Sequence, residues 1–476
     1  MLFNSIHFLI FFPIVLILFW SMPHKHRWKL LLAASYYFYG CFNVWYVALI
    51  AASTLVSYQT ALWMEPENDS KKRWRYLLLS LVVNLGLLFA FKYLDFTIET
   101  FNLALSGLDF SEIPLSGIVL PIGISFYTFQ VLSYSVDVYF GKRKAEKHLG
   151  IYALYVSFFP QLVAGPIERS TRLLPQFFEK KEFDYDRVIA GFKQVLWGFF
   201  KKIVIADRLA VYVNLVYDVP TDYSGMQIAL ATVFFTFQIY CDFSAYSDIA
   251  IGTAKMMGYD LMQNFNRPFI SKSLSEFWRR WHISLYTWFT DYVFTPVMML
   301  KRKWGKGAII YAIAITFLLT GIWHGAKWTF ILWGVLHGAA LIYETLTQKT
   351  RKKWSQSIPK LLYNPLSIFL TFTFIVLVSV FFRVATFSDG IHIIQQIITF
   401  KLDLGSKLNI GEFGMFSIAI SMGMIGLMLF KEYYDDRKWQ WIGKGMFNDI
   451  VYAVGVLMLI VMFGVFEPQE FIYFQF

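Results

Sequence analysis

Apolar runs of helical length alternate with short basic clusters along nearly the whole chain. A helix crossing a hydrocarbon core of about 30 Å needs about 20 largely apolar residues. Read on that criterion, the runs at 6–22, 30–43, 44–63, 76–94, 121–140, 191–217, 227–252, 307–323, 328–347, 365–382, 413–430 and 450–466 predict about 12 crossings. The run at 151–163 is too short and predicts a re-entrant or interfacial piece. Lys and Arg concentrate in the loops that stay in the cytosol. The clusters Lys71–Arg75, Lys142–Lys147, Lys301–Lys306 and Lys349–Lys353 are therefore assigned to that side. The 95–117 loop holds Asp95, Glu99, Asp109 and Glu112 but no base, so it is assigned outside, as is the tail from 467. The basic residues around the first run follow it rather than precede it, which argues for a retained span with an external N-terminus and against a cleaved signal.

Composition narrows the class. Of 476 residues 57% are hydrophobic, 20% aromatic and only 16% charged. Soluble domains carry about 25% charged residues. Disorder, collagen and disulfide scaffolds are excluded by the same figures, leaving an all-α polytopic membrane protein organised as a single domain. A net charge of +11 would suggest nucleic acid in a soluble chain. Here the excess sits in inter-span clusters and reads as topology, so no nucleic-acid partner is expected. Cys41 and Cys241 lie far apart in apolar runs, which leaves no basis for a thiol metal site or a structural disulfide. No internal repeat is visible, which weighs against a duplicated transporter.

Ionisable residues inside spans are the candidates for chemistry, because keeping them there is costly. His324 stands in Gly321-Ile322-Trp323-His324-Gly325-Ala326-Lys327-Trp328, at the tip of the 307–347 hairpin. From Lys306 an ideal helix rises about 27 Å to it, which sets the imidazole just below the outer surface. Flanking Trp323 and Trp328 offer an apolar wall, and the ring could serve as a general base. A histidine bonded to a neighbouring helix explains the residue type equally well. His282 follows Glu276-Phe277-Trp278-Arg279-Arg280-Trp281. Read as a helix, the segment puts Trp278 and His282 on one face and pairs Glu276 with Arg280. Arg279 and Arg280 could receive a phosphate-bearing donor, although on physics alone a simple surface anchor accounts better for the segment. His337 is mid-span and reads as structural. Asp242 and Asp248, within two turns of one apolar helix, need partners: an aqueous path, or cations of the 267–280 segment. Asn264-Phe265-Asn266-Arg267-Pro268 reads as a turn.

These strings together resemble the membrane-bound O-acyltransferase superfamily, in particular its bacterial branch containing the membrane subunit of alginate O-acetylation. The resemblance rests on Pro121 to Phe126, Gly165-Pro166-Ile167-Glu168-Arg169, Asp242 to Ala250, Asn264 to Phe269, Phe277 to Ser284, Gly321 to Trp328 and the ending Phe471 to Phe476, in order over nearly the whole chain. It implies a ring of 11–12 helices with re-entrant pieces around a central tunnel, and a catalytic core at about 118–347. The family's buried histidine maps onto His324 and its second functional position onto His282. Arg279, Arg280, Trp323, Trp328, Asp242 and Asn264 are the expected substrate contacts, with no metal and no tightly bound cofactor. The implied donor is acetyl-CoA or another acyl thioester. The implied acceptor is an extracytoplasmic polysaccharide, with a secreted or membrane-anchored esterase-like partner, at the bacterial cytoplasmic membrane. Relatives of this branch serve teichoic acid D-alanylation and peptidoglycan or cellulose O-acetylation. The competing readings are an export channel for a glycan or lipid, and a non-catalytic scaffold.

Overall fold

A computed structural model describes the chain except residues 109–110, 400–412, 437–444, 467–470 and 475–476. The described residues are overwhelmingly helical. Among the described residues eight helices are long and apolar enough to cross a membrane: Val44–Met64, Ser70–Leu105, Gly225–Met256, Lys306–His324, Trp328–Leu346, Lys360–Arg383, Met415–Tyr434 and Met446–Phe463. Others of the predicted crossings are helices too short for that criterion, among them Ile6–Ser21, His24–Gly40 and Ile124–Tyr139. The run at 76–94 does not stop at the supposed external loop but continues through a π turn to Leu105. Part of the expected external tail, 467–470 and 475–476, lies outside the described residues, as does Asp109.

The chain divides into two compact units, Met1–Val195 with Ile249–Met262, and Leu196–Asp248 with Gln263–Phe476. In the first, apolar helices are joined by small polar side chains rather than by hydrophobicity, which has little leverage between helices in lipid. Asn84 donates to Ser57 Oγ at 3.2 Å and accepts from Ser53, and Ser80 meets Ser135 at 2.9 Å. Phe11, Phe38 and Phe159 pack ring on ring beside them, with Phe159 5.5 Å from Phe11 and 5.7 Å from Phe38. Gly123 precedes Ile124–Tyr139 in the left-handed region (φ 81°), where a Cβ would lie 2.9 Å from the Leu162 carbonyl oxygen. Only glycine fits that combination of conformation and space. The short run at 151–163 folds as the helix Leu149–Ser157 and a buried turn, too short to span, as its length predicts.

Glu168 lies beyond that turn, outside the candidate spans, and is fully buried. It accepts from the Met262 N–H, while its Oε2 has no hydrogen-bond partner among the described residues. Burial pushes its carboxyl up from the ordinary 4.5 to about 7, against the opposing pull of the Met262 N–H. The neutral form therefore stabilises the fold fully below about pH 4.5, and that contribution is lost as the pH rises through about 7. Glu168→Gln should flatten the fall in stability across this window. Thermal melts of the detergent-solubilised protein and the variant at several pH values measure it, and parallel profiles would contradict it.

The second unit carries the remaining spans, with Gly225–Met256 belonging to it as far as Asp248. Its helix Met446–Phe463 leaves Val451, Val454, Leu457, Met458 and Val461 exposed, as a lipid-facing surface requires. Residues 267–300 are not one helix but a succession of short pieces, Pro268–Ile270, Leu274–Trp278, Ile283–Phe289 and, beyond a π turn, Thr295–Leu300. The expected continuous segment that would align Trp278 with His282 is thus broken between them. The i, i+4 pair of Glu276 and Arg280 survives the break, with Nη2 2.9 Å from Oε1.

Candidate functional site

The second unit is organised around the hairpin of Lys306–His324 and Trp328–Leu346. Its helices approach closely because glycine stands at the crossing. A Cβ on Gly334 would fall 2.4 Å from the Phe317 carbonyl oxygen, and one on Gly321 would fall 2.6 Å from that of Phe330. At the tip a Cβ on Gly325 would strike the Phe330 ring at 2.3 Å. The helix ends there and leaves His324 buried among rings: Trp323 at 5.1 Å, Trp333 at 4.9 Å and Phe382 at 5.2 Å between centroids. The apolar wall expected from Trp323 and Trp328 is therefore half correct. Trp328 is 48% exposed, and Trp333, one residue before Gly334, takes that place.

Trp333 and His337 are one turn apart on the second hairpin helix, their rings 4.7 Å from each other. His324 and His337 line the same small cavity of about 40 Å³ with Trp333, Phe382, Trp281 and Thr236. His337 is buried, and its Nδ1 has no hydrogen-bond partner among the described residues. From sequence His337 reads as structural because it lies mid-span. Its spacing from Trp333, at i, i+4 on the hairpin partner of the His324 helix, was the signal available.

His282 reaches the same neighbourhood by an unusual route. Its φ of 42° lies in the left-handed region, where a bulky residue stands at a cost of about 1–3 kcal/mol. Asn264 holds the turn. The Asn264 carbonyl accepts from Ile283 N at 2.9 Å, and its side-chain Oδ1 accepts from Ser284 Oγ at 2.6 Å and from Ser284 N at 3.3 Å. Its Nδ2 donates to Ser247 Oγ at 3.1 Å. Asn266 N donates to the Arg280 carbonyl at 2.9 Å, and Arg267 is the other non-glycine residue with positive φ among the described residues. The expected turn at Asn264 is thus the clamp that orients His282. The imidazole packs 4.6 Å from Phe243 and 5.9 Å from Trp323, so Trp323 touches both His282 and His324. Of the two expected arginines, Arg279 is exposed, while Arg280 is engaged with Glu276 and the Asn266 carbonyl.

The carboxylates of Gly225–Met256 find partners other than the expected ones. Lys201 reaches Asp248 at 2.6 Å and donates to Ser244 Oγ at 2.7 Å. Lys202 bridges Asp242 at 2.8 Å and Asp207 at 2.7 Å. The two lysines occupy a π turn, Phe200–Ala206, an irregularity that recurs at functional positions. Asp242 also accepts from the Ile472 N–H at 2.7 Å, and Tyr240 donates to Glu432. This network was not legible as such. Asp207 follows Lys202 closely along the chain, but Asp242 and Asp248 lie on a separate helix tens of residues away. Removing one partner of a buried ion set costs about 3–5 kcal/mol. Lys202→Met should accordingly lower the melting temperature sharply, with most of the protein lost from the monodisperse fraction on size exclusion in detergent. An unchanged melt would show that the network contributes little.

An all-α chain with eight candidate spans among its described residues, in which two histidines line a ring-walled cavity of the second unit, is a multi-pass membrane protein. Its sequence matches the profile of MBOAT, the membrane-bound O-acyltransferase family, over residues 31–384, and the chain belongs to that family. It is an O-acyltransferase. It is 35% identical to a probable alginate O-acetylase AlgI of Pseudomonas syringae pv. tomato, over 92% of this chain and 83% of the relative. It is 33% identical to a peptidoglycan O-acetyltransferase of Helicobacter pylori, over 77% of this chain and 73% of the relative. A teichoic acid D-alanyltransferase of Bacillus subtilis is 30% identical over 44% and 55%.

Proposed function

We propose that this O-acyltransferase moves an acetyl group from a cytosolic thioester, acetyl-CoA or another carrier, across the bacterial cytoplasmic membrane to a hydroxyl of an extracytoplasmic polysaccharide, directly or through an esterase-like partner protein. The observation that carries the reading is a buried histidine, His324, on a small aromatic-walled cavity inside the region matched by the family. The names of the relatives, alginate O-acetylase and peptidoglycan O-acetyltransferase, favour acetyl as the group and a polysaccharide as the acceptor.

In this reading 118–347 is the catalytic core of a single membrane domain. Arg279 and Arg280 receive the anionic groups of the donor near the cytosolic surface, and Trp323 and Trp328 border the route of the acyl group. Asp242 and Asn264 shape the site, the first through Lys202 and the second through the His282 turn. His324 takes the proton of the acceptor hydroxyl as its oxygen attacks the thioester carbonyl. The C–O bond forms, the C–S bond breaks, and the proton passes to the departing thiolate, giving an ester and a free thiol. His282 acts beside it as the second catalytic imidazole, joined to it through the Trp323 ring.

General-base assistance contributes typically 10²–10⁴-fold. His324→Ala should therefore reduce acetyl transfer by about that factor, while the detergent-purified variant elutes as the wild type does. Labelled acetyl-CoA supplied to membranes containing the chain, the polymer and the secreted partner measures it. A folded variant with full transfer overturns the assignment, and flux of a glycan or lipid without acyl turnover overturns the acyl-transfer reaction itself.

A further inference from the structure

The cavity at His324 and His337 has a larger neighbour. A second cavity of about 260 Å³ is lined by Trp278, Phe289, Ile313, Thr316, Phe317 and Leu341, among others, and lies along the same hairpin. Two rings stand between the spaces. Trp278 and Phe317 both line the larger cavity, and both pack on His337, which lines the smaller one. The Trp278 ring meets His337 edge-on at 5.1 Å and Trp333 at 5.8 Å.

The sizes differ in a way that matters chemically. A group the size of a water needs about 10–15 Å³ of such space. The smaller cavity therefore admits about three heavy atoms, the number in an acetyl group. The larger has room for roughly twenty, and although Thr290, Thr316 and Thr320 add hydroxyls to its lining, its Ile, Leu and Phe side chains suit methylene groups.

We infer that Trp278 is the specificity-determining residue that limits the transferred acyl group to about the size of acetyl, by closing the pocket at His324 off from the larger apolar cavity. The inference rests on the acyl-transfer reading above. Trp278 is placed firmly for this task. Its short helix, Leu274–Trp278, is tied at the start to Glu344, whose carboxylate accepts from Leu274 N at 2.8 Å, Ser275 N at 3.1 Å and Ser275 Oγ at 2.9 Å. Arg351 holds Glu344 at 3.1 Å. The indole Nε1 is buried with no hydrogen-bond partner among the described residues, so a smaller apolar residue there strands no polar neighbour. The position is occupied for its bulk.

The test compares acetyl-, butyryl- and hexanoyl-CoA as donors to the polymer in membranes holding the wild type, Trp278→Leu and Trp278→Ala. The wild type should prefer acetyl strongly, since each misfitting methylene is worth roughly tenfold or more. The variants should transfer hexanoyl at least about tenfold better relative to acetyl than the wild type does. A wild type that uses hexanoyl as readily as acetyl overturns the inference, and so do folded variants that keep the wild-type preference. Phe317→Leu thins the same partition from the other ring and carries the same expectation should the Trp278 variants fail to fold. A wild type that transfers no acyl group from any donor sinks the acyl-transfer reading itself, and this inference with it.

Discussion

A polar group taken into an apolar helical bundle must be met by the protein, because hydrocarbon offers it nothing. In the second unit that requirement is met in two ways. Charges meet charges: Lys202 sits between Asp207 and Asp242, and Lys201 reaches Asp248. Imidazoles meet aromatic rings, with His282, His324 and His337 each in contact with at least one tryptophan. The first arrangement anchors the helices. The second leaves space beside two imidazoles, which is what chemistry needs.

Glycine makes the second arrangement possible. The contact of Gly321 with Gly334 brings two helices together more closely than any side chain would permit. Trp333, next to Gly334, then lies against the His324 ring. His337 follows one turn later on the same face. One backbone approach thus sets the positions of both histidines on the cavity and of one wall. The His282 turn is held by different means: a left-handed backbone fixed by the asparagine across from it. Strain of this kind persists only where surrounding bonds over-determine it.

The stretch around His324 lies inside the region matched by the family, and the fold gives it a physical content. Gly321 is a helix crossing, Trp323 touches two imidazoles, and Gly325 is the only residue type that clears the Phe330 ring. Similar logic applies in the first unit, where Gly123 and Glu168, both within motif stretches, are respectively a left-handed cap and a buried carboxyl bonded to a distant backbone amide.

What the amino-acid order determined by itself was whatever depends on local composition and period. That includes the helical class, the positions of the long apolar spans, the hairpin with His324 at its tip, the turn at Asn264 and the Glu276–Arg280 pair. Each follows from residues within a few turns of one another. The partners of Asp242 and Asp248, the place of His337, the exchange of Trp328 for Trp333 and the break before His282 were decided only by tertiary structure. Lys202 and Asp242 are on different helices, and Trp278 reaches His337 from a separate short one. Which rotamer faces which neighbour is set by close packing between elements, and no periodicity along a single element encodes it.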